Sequence, residues 1–191
     1  MRKLLMMKKI GLVTAMAALM SFPITIRAAD NDKEDIKGEN HGQLSRKDFK
    51  FVRDAAQGGM LEVKLGELAK EKGANQTVKQ FGDRMIKDHS KANDKLKELA
   101  TQKGVTLPTQ LTRREESELE RFQKLSGKEF DKAYAAHMVK DHHKDITEFQ
   151  DAAKSAQDSD VKNFAQQTLP TLEDHHKLAQ EMESSVKQQE P

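Results

Sequence analysis

The residues best suited to chemistry are three histidines and a glutamate. His89 lies in MIKDHSK (85–91) and His142 in MVKDHHK (138–144), near-copies of Met-(Ile/Val)-Lys-Asp-His-x-Lys. His175 falls in LEDHHKLA and Glu62 in QGGMLEVKLGELA. Neutral imidazole is the commonest metal-binding side chain. Three imidazoles with one carboxylate make a donor set for a single Fe, Mn, Zn or Cu ion. A carboxylate buried without a partner is strongly unfavourable, so such groups, once buried together, satisfy one another, hold water or hold an ion.

Each of the four belongs to a different long helical pattern. The first runs from Ser45 to Lys72, with Ser45 as N-cap, Asp48 at the third helical position and Gly73 as the stop. The second runs from Asn75 to Lys103 and is closed by Gly104. The third starts at Ser126, whose spacing to Glu129 predicts a capping box, and ends near Ala156. The fourth runs from Asp158 or Ser159 to Lys187, with an expected bend at Pro170 that frees the carbonyl of Gln166.

Projection at about 100° per residue places His89 within the stripe Val78, Phe81, Met85, Ala92, Leu96 and Leu99. His175 falls within the stripe Val161, Phe164, Leu172, Ala179, Met182 and Val186. His142 and Asp145 share a broader face with Phe130, Tyr134, Met138, Ile146, Phe149 and Ala153. Glu62 sits in the apolar arc of the first pattern, where Gly58, Gly59 and Gly66 would admit a close neighbour. Each of the four lies about halfway along a helix of about 28 residues, so all are expected at one level of a bundle. Whichever way the helices run, midpoints meet.

No segment shows strand alternation, and the fold class is all-α. Short connections join the first helix to the second and the third to the fourth, predicting two antiparallel hairpins. Between them lies GVTLPTQLTRREESELERFQKL (104–125), which contains a short charged helix over 113–124. That segment is long enough to cross the bundle lengthwise. The expected architecture is therefore a ferritin-like four-helix bundle with helices two and three parallel. The repeated heptapeptide reads as self-similarity between the hairpins.

Three expected regions follow: a signal peptide over 1–28, a disordered N-terminal tail over 29–44 and the bundle over 45–187. The leader has Arg2, Lys3, Lys8 and Lys9 before an apolar run from Ile10 to Phe22, and a small-residue exit at Ala28–Ala29. Such a run is short for a membrane span. Membrane attachment would come only through an uncleaved leader. Export across the inner membrane to a periplasmic or outer-envelope location is the expectation. The leader carries five basic residues and no acidic ones, so without it 28 basic face 31 acidic residues, a net of −3. Nucleic-acid binding loses its electrostatic support. With no cysteine in 191 residues, thiolate metal sites, iron–sulfur clusters, disulfides and lipoprotein anchoring are excluded.

The phrases FVRDAAQGGMLEVKLGELA, VKQFGDRMIKDH, YAAHMVKDHHKDITEF and VKNFAQQTLPTLEDHHKLA resemble an exported bacterial ferritin-like family of unknown function. Its members are often labelled membrane or outer-membrane proteins. The similarity spans residues 47–183 and implies a four-helix bundle with a metal site. It also implies that the family's characteristic Glu and His positions correspond to Glu62, His89, His142 and His175. No activity is established for the family.

The di-iron ferritin pattern needs Glu-x-x-His on two helices. Ile86 stands three residues before His89, and Glu173, three before His176, projects to the polar face. Too few carboxylates converge for a two-iron oxidase, so a single-metal site is expected. Asp88, Asp141 or Asp145 would orient the imidazoles from behind, with Asp145 a lesser candidate for a direct ligand. Met60, Met85, Met138 and Met182 would add soft donors for copper, although core methionines are usually packing. His137, His143 and His176 are expected to be solvated. Two classes of function lead at this point, ahead of a third, a one-metal redox enzyme acting on a small oxidant. One is a metal-handling or oxidative-stress protein; the other is a structural or interaction bundle of the envelope whose polar layer is metal-free. The sequence identifies no small-molecule substrate. An envelope protein or a second copy of the chain is the expected partner.

Overall fold

The computed structural model describes residues 40–188. The expected leader and residues 29–39 of the expected tail fall outside that range. Five helices follow in order: α1 (Arg46–Lys72), α2 (Gln76–Lys103), α3 (Arg113–Gln123), α4 (Gly127–Ser155) and α5 (Ser159–Gln188). The described residues contain no strand, only an isolated backbone bridge between Gly73 and Gly127. None of the described helices is long and apolar enough to cross a membrane.

Local chemistry sets most helix ends. The Ser45 hydroxyl accepts from the Asp48 N–H, and the Asn75 side chain accepts from the Thr77 N–H. Asp158 accepts from the N–H groups of Asp160 and Val161 to open α5. Gly104 ends α2 in the left-handed region at φ 70°, which a side chain rarely tolerates. The capping box expected at Ser126 and Glu129 does not form. Ser126 has φ −157°, far from the −62° and −78° of the working caps Ser45 and Asn75, and the adjoining Gly127 bridges to Gly73. A capping box forms instead at Thr112 and Glu115, opening α3. Pro170 lies within α5, which continues through it as a helix.

Two buried aspartates tie the hairpins together. Asp48, near the start of α1, accepts from the backbone N–H groups of Gln157 and Asp158 in the α4–α5 turn. Asp131, near the start of α4, accepts from Ala74 and Asn75 in the α1–α2 turn. The start of each hairpin therefore meets the turn of the other, so α1 and α4 are antiparallel. Lys103 at the end of α2 pairs with Asp158 and Asp160 at the start of α5, and those helices are antiparallel too. It follows that α2 and α4 are parallel. The segment 104–125 runs the length of the molecule to connect them.

This exchange relates the two hairpins by positions 83 apart: Asp48 with Asp131, Glu62 with Asp145, Asn75 with Asp158 and Phe81 with Phe164. The repeated heptapeptide does not obey that relation. Its copies lie in α2, the second helix of one hairpin, and α4, the first helix of the other. Hairpin-level self-similarity is thus not its basis. What the repeat does is put the same Asp-His pair at the same level of two parallel helices.

The core is divided. One apolar cluster includes Phe49, Val52, Leu96, Leu99, Phe149 and Phe164, and the other Leu65, Phe81, Met85, Phe130, Tyr134 and Met138. On α2, α4 and α5 a buried histidine stands between residues of one cluster and residues of the other. The segment 40–44, expected to be part of the tail, packs on the first cluster. Leu44 is buried, and the Gln43 N–H donates to the Lys103 carbonyl at 2.9 Å. The gain is the burial of an apolar side chain ahead of the α1 cap, in the manner of a hydrophobic staple.

Candidate metal centre

Glu62, His89, His142 and His175 come from four different helices and are all buried, at 2, 6, 0 and 0% exposure. His142 and His175 are therefore among the most enclosed side chains in the molecule. The His142 ring packs edge-on to those of His89 and His175, with centroids 5.8 and 5.3 Å away, while His89 and His175 lie tilted at 41° with centroids 5.3 Å apart. Phe81 closes one side, its ring 6.2 Å from His142 and 6.4 Å from His175.

Each ring has one nitrogen occupied. Nδ1 of His89 lies 2.8 Å from Oε2 of Glu62. Nδ1 of His142 lies 3.0 Å from the carbonyl of Met138, one helical turn earlier. Nε2 of His175 lies 3.0 Å from Oδ2 of Asp88. The Met138 carbonyl and the ionised Asp88 accept, which puts the ring protons on His142 Nδ1 and His175 Nε2, and Glu62 accepts from His89 Nδ1 in the same way when it is ionised. The remaining nitrogens, His89 Nε2, His142 Nε2 and His175 Nδ1, are buried without a hydrogen-bond partner. One nitrogen from each ring falls within 4.8 Å of its counterparts on the other two. Three buried imidazoles thus bring ring nitrogens together within a span that one ion could bridge. Held from behind by oxygen acceptors, they have the arrangement that fixes a histidine's tautomer in metal sites.

Burial also determines the charge. It pushes His89 and His175 down to about 4 and His142 well below the ordinary histidine range. Mutual repulsion among the three rings adds to this for His142 and His175. All three are neutral at pH 7 and able to donate a lone pair. Glu62 is driven in the opposite direction, well above the usual carboxylate range, chiefly by burial and then by the charge of Asp141; Lys144 opposes the shift. Burial works to raise Asp88 as well, but the hydrogen bond from His175 and the charges around it, including Arg84, leave it lowered and ionised.

The four residues singled out from sequence do meet at one level, yet their donor atoms sort into two groups. The histidines form one. Glu62 shares the other with Asp141 and Asp145, one oxygen from each lying within 4.8 Å of the others. Glu62 connects the two, since its Oε1 is 3.5 Å from His142 Nε2 while Oε2 holds His89. That Oε1 atom is itself buried without a hydrogen-bond partner. Imidazole nitrogens and a carboxylate oxygen, buried and unmatched, are donors of the kind a transition-metal ion takes.

Among the other candidates, His143 is exposed and its ring stands 5.8 Å from that of His176. His137, expected in solvent, is instead covered by α3. Its ring packs 5.2 Å from Phe122, and Nδ1 lies 3.3 Å from Glu118. Met85, Met138 and Met182 are core residues of the second apolar cluster. Sequence patterning missed Tyr134, whose buried hydroxyl has no hydrogen-bond partner and whose ring lies 6.1 Å from Phe81. Its place in an apolar stripe gave no sign of this.

A family model described as a domain of unknown function, DUF4142, matches residues 34–182. The chain belongs to the DUF4142 family. The match covers every one of the site residues, so the centre lies within the family domain and not in an appended segment. No curated protein matches the sequence. Among solved structures, this DUF4142 chain is similar to a DUF305 protein from Streptomyces coelicolor, provisionally described as secreted. They share a TM-score of 0.63 and 12% identity over 74% of this chain and 94% of that one. A DUF305 fragment from Deinococcus radiodurans gives a TM-score of 0.64 at 12% identity, covering 76% and 98%. A protein from Bacillus halodurans C-125, provisionally described as a spore coat protein, gives 0.59 at 15% identity, covering 78% and 92%. At such identities the likeness is one of fold: a helical bundle.

Proposed function

We propose that this DUF4142 protein is an exported bundle of ferritin-like topology that binds a transition-metal ion at mid-height through His89, His142 and His175. Glu62 Oε1, 3.5 Å from His142 Nε2 and without a hydrogen-bond partner, would complete the set. The observation that carries this reading is the pattern of nitrogens: one on each ring anchored to an oxygen, the other buried and unpartnered, on three rings that each bring a nitrogen inside one 4.8 Å span. Neutral imidazoles and a carboxylate suit Fe, Mn, Zn or Cu. Bound there, such an ion would supply Lewis-acid or one-electron chemistry, consistent with metal handling or protection against oxidants.

The long crossover and parallel α2 and α4 support the ferritin-like assignment. Export is supported by the basic, apolar and small-residue succession over 1–28 and by the provisional description of the Streptomyces neighbour as secreted.

The test is elemental analysis of untagged protein purified from its native compartment, beside a His89→Ala/His142→Ala variant. Bound transition metal that is lost in the folded variant supports the assignment. Protein that arrives metal-free and takes up none of Fe, Mn, Zn or Cu would instead establish a metal-free polar layer, whose function is to fix the register of the helices.

A further inference from the structure

The carboxylate group beside the histidines has its own chemistry. Asp141 and Asp145 lie one turn apart on α4, and Glu62 reaches the same point from α1, with one oxygen from each residue inside a 4.8 Å span. Like charges at such separations repel strongly where water is scarce. The basic side chain whose charge acts on both Glu62 and Asp145 is Lys144, but its ammonium lies 3.4 Å from Glu148 and the side chain is 64% exposed. His137 approaches Asp141 no closer than 3.9 Å and is neutral unless protonated. A second observation is independent of this crowding. Glu62 is 2% exposed, yet its Oε1 has no hydrogen-bond partner, although Oε2 is held by His89. A buried carboxylate oxygen left unmatched beside two further carboxylates is matched either by a bound cation or by a shared proton.

We propose that Glu62, Asp141 and Asp145 form a second cation position, adjoining the histidine pocket and sharing Glu62 with it. The donors differ in kind across that boundary. Nitrogen on one side favours a borderline metal such as Zn or Cu, whereas three carboxylates on the other favour a hard divalent ion of the Mn, Mg or Ca class. Exposure differs as well. His142 and His175 are sealed, while Asp141 and Asp145 are only half-buried and open the carboxylate position to solvent. The second ion is accordingly the exchangeable one. The assignment rests on the proposed function only for the identity of the neighbouring pocket, because the carboxylates bind their ion through oxygen alone.

Mn2+ is the probe, since free and bound ion are distinguishable by electron paramagnetic resonance. Natively processed protein is first saturated with Zn2+ and dialysed, then titrated with Mn2+, and both metals are quantified. The expected result is one tightly held Zn and one exchangeable Mn. In Asp141→Asn/Asp145→Asn, Mn2+ affinity should fall at least about tenfold while Zn is retained. A milder Asp145→Asn variant, judged folded by circular dichroism, provides the same readout if the double variant is unstable. Zn uptake without Mn2+ binding overturns this proposal alone. Mn2+ binding that is unchanged in the Asn variants also overturns it. Uptake of neither ion overturns both this proposal and the proposed function.

Discussion

Glu62 Oε2 lies 2.8 Å from His89 Nδ1, joining the only buried glutamate among the described residues to the histidine of the MIKDHSK repeat. The contact does two things. It gives one oxygen of an otherwise costly buried carboxylate a partner, and it fixes the orientation of the His89 ring. Loss of that orientation should be felt at the metal more than in the fold. Glu62→Gln keeps the shape of the side chain but can present an amide instead of an acceptor. Metal affinity is expected to fall by about 10–100-fold with helix content unchanged. Competition against a chromogenic chelator measures it; unaltered affinity would remove Glu62 from the site.

Asp88 and His175 provide a parallel case. Asp88→Asn leaves the 3.0 Å contact sterically possible but removes the charge that holds the His175 Nε2 proton. The ring is then free to adopt its other tautomer, which places a proton on Nδ1 and blocks that donor. Affinity should again drop by about tenfold or more, and His175 resonances should shift in NMR of the metal-free protein. A variant indistinguishable from wild type in both measurements would refute this orienting role.

Acid should act on the metal-free protein through the histidines. His89 and His175 titrate at about 4 in the fold against an ordinary 6.5, so between those values the unfolded chain binds more protons. Stability therefore rises with pH across that window and is lost as pH falls from 6.5 towards 4. Glu62 and Asp145 have the opposite sign. Their folded values are raised, so they contribute stability below the ordinary carboxylate range that is lost as pH rises through the raised values. Urea midpoints against pH should show both limbs. In Glu62→Gln the decline on the alkaline side should shrink while the acid limb remains.

The two aspartates that join the hairpins should have matched effects. Asp48→Ala leaves the N–H groups of Gln157 and Asp158 without their acceptor, and Asp131→Ala does the same to Ala74 and Asn75. Each loss is expected to cost about 1–3 kcal/mol in chemical denaturation. A negligible effect at either site would mean that water replaces the carboxylate without penalty.

Helices α1 and α2 approach most closely through two glycines. A Cβ on Gly66 would stand 2.8 Å from the Gly82 carbonyl oxygen, and one on Gly82 would stand 2.7 Å from the Gly66 carbonyl oxygen. Backbone cannot step aside as a flexible side chain can. Gly66→Ala and Gly82→Ala should therefore destabilise by about 1–3 kcal/mol, overriding the roughly 0.5–1 kcal/mol by which alanine favours a helix. Thermal melts of the two variants check this, and a gain in stability would show that the helices part easily.

Most of the architecture was legible in the sequence because it rests on local chemistry. Apolar stripes at helical spacing, Ser45, Asn75 and Asp158 as caps, and Gly104 as a stop all act within a turn or two of their own positions. So did the mid-helix placement of Glu62, His89, His142 and His175, since equal depth along helices of similar length follows from counting. Where Ser126 misled, the cause was a contact from outside its helix, the bridge between Gly127 and Gly73. The burial of His137 likewise came from α3, a neighbour remote in sequence. Which nitrogen of each ring is anchored, and whether Glu62 belongs with the imidazoles or with Asp141 and Asp145, depended on side chains brought together from several helices. Periodicity specifies a face and a height. It takes the packing of α1, α2, α4 and α5 to decide which atoms on those faces come within bonding distance.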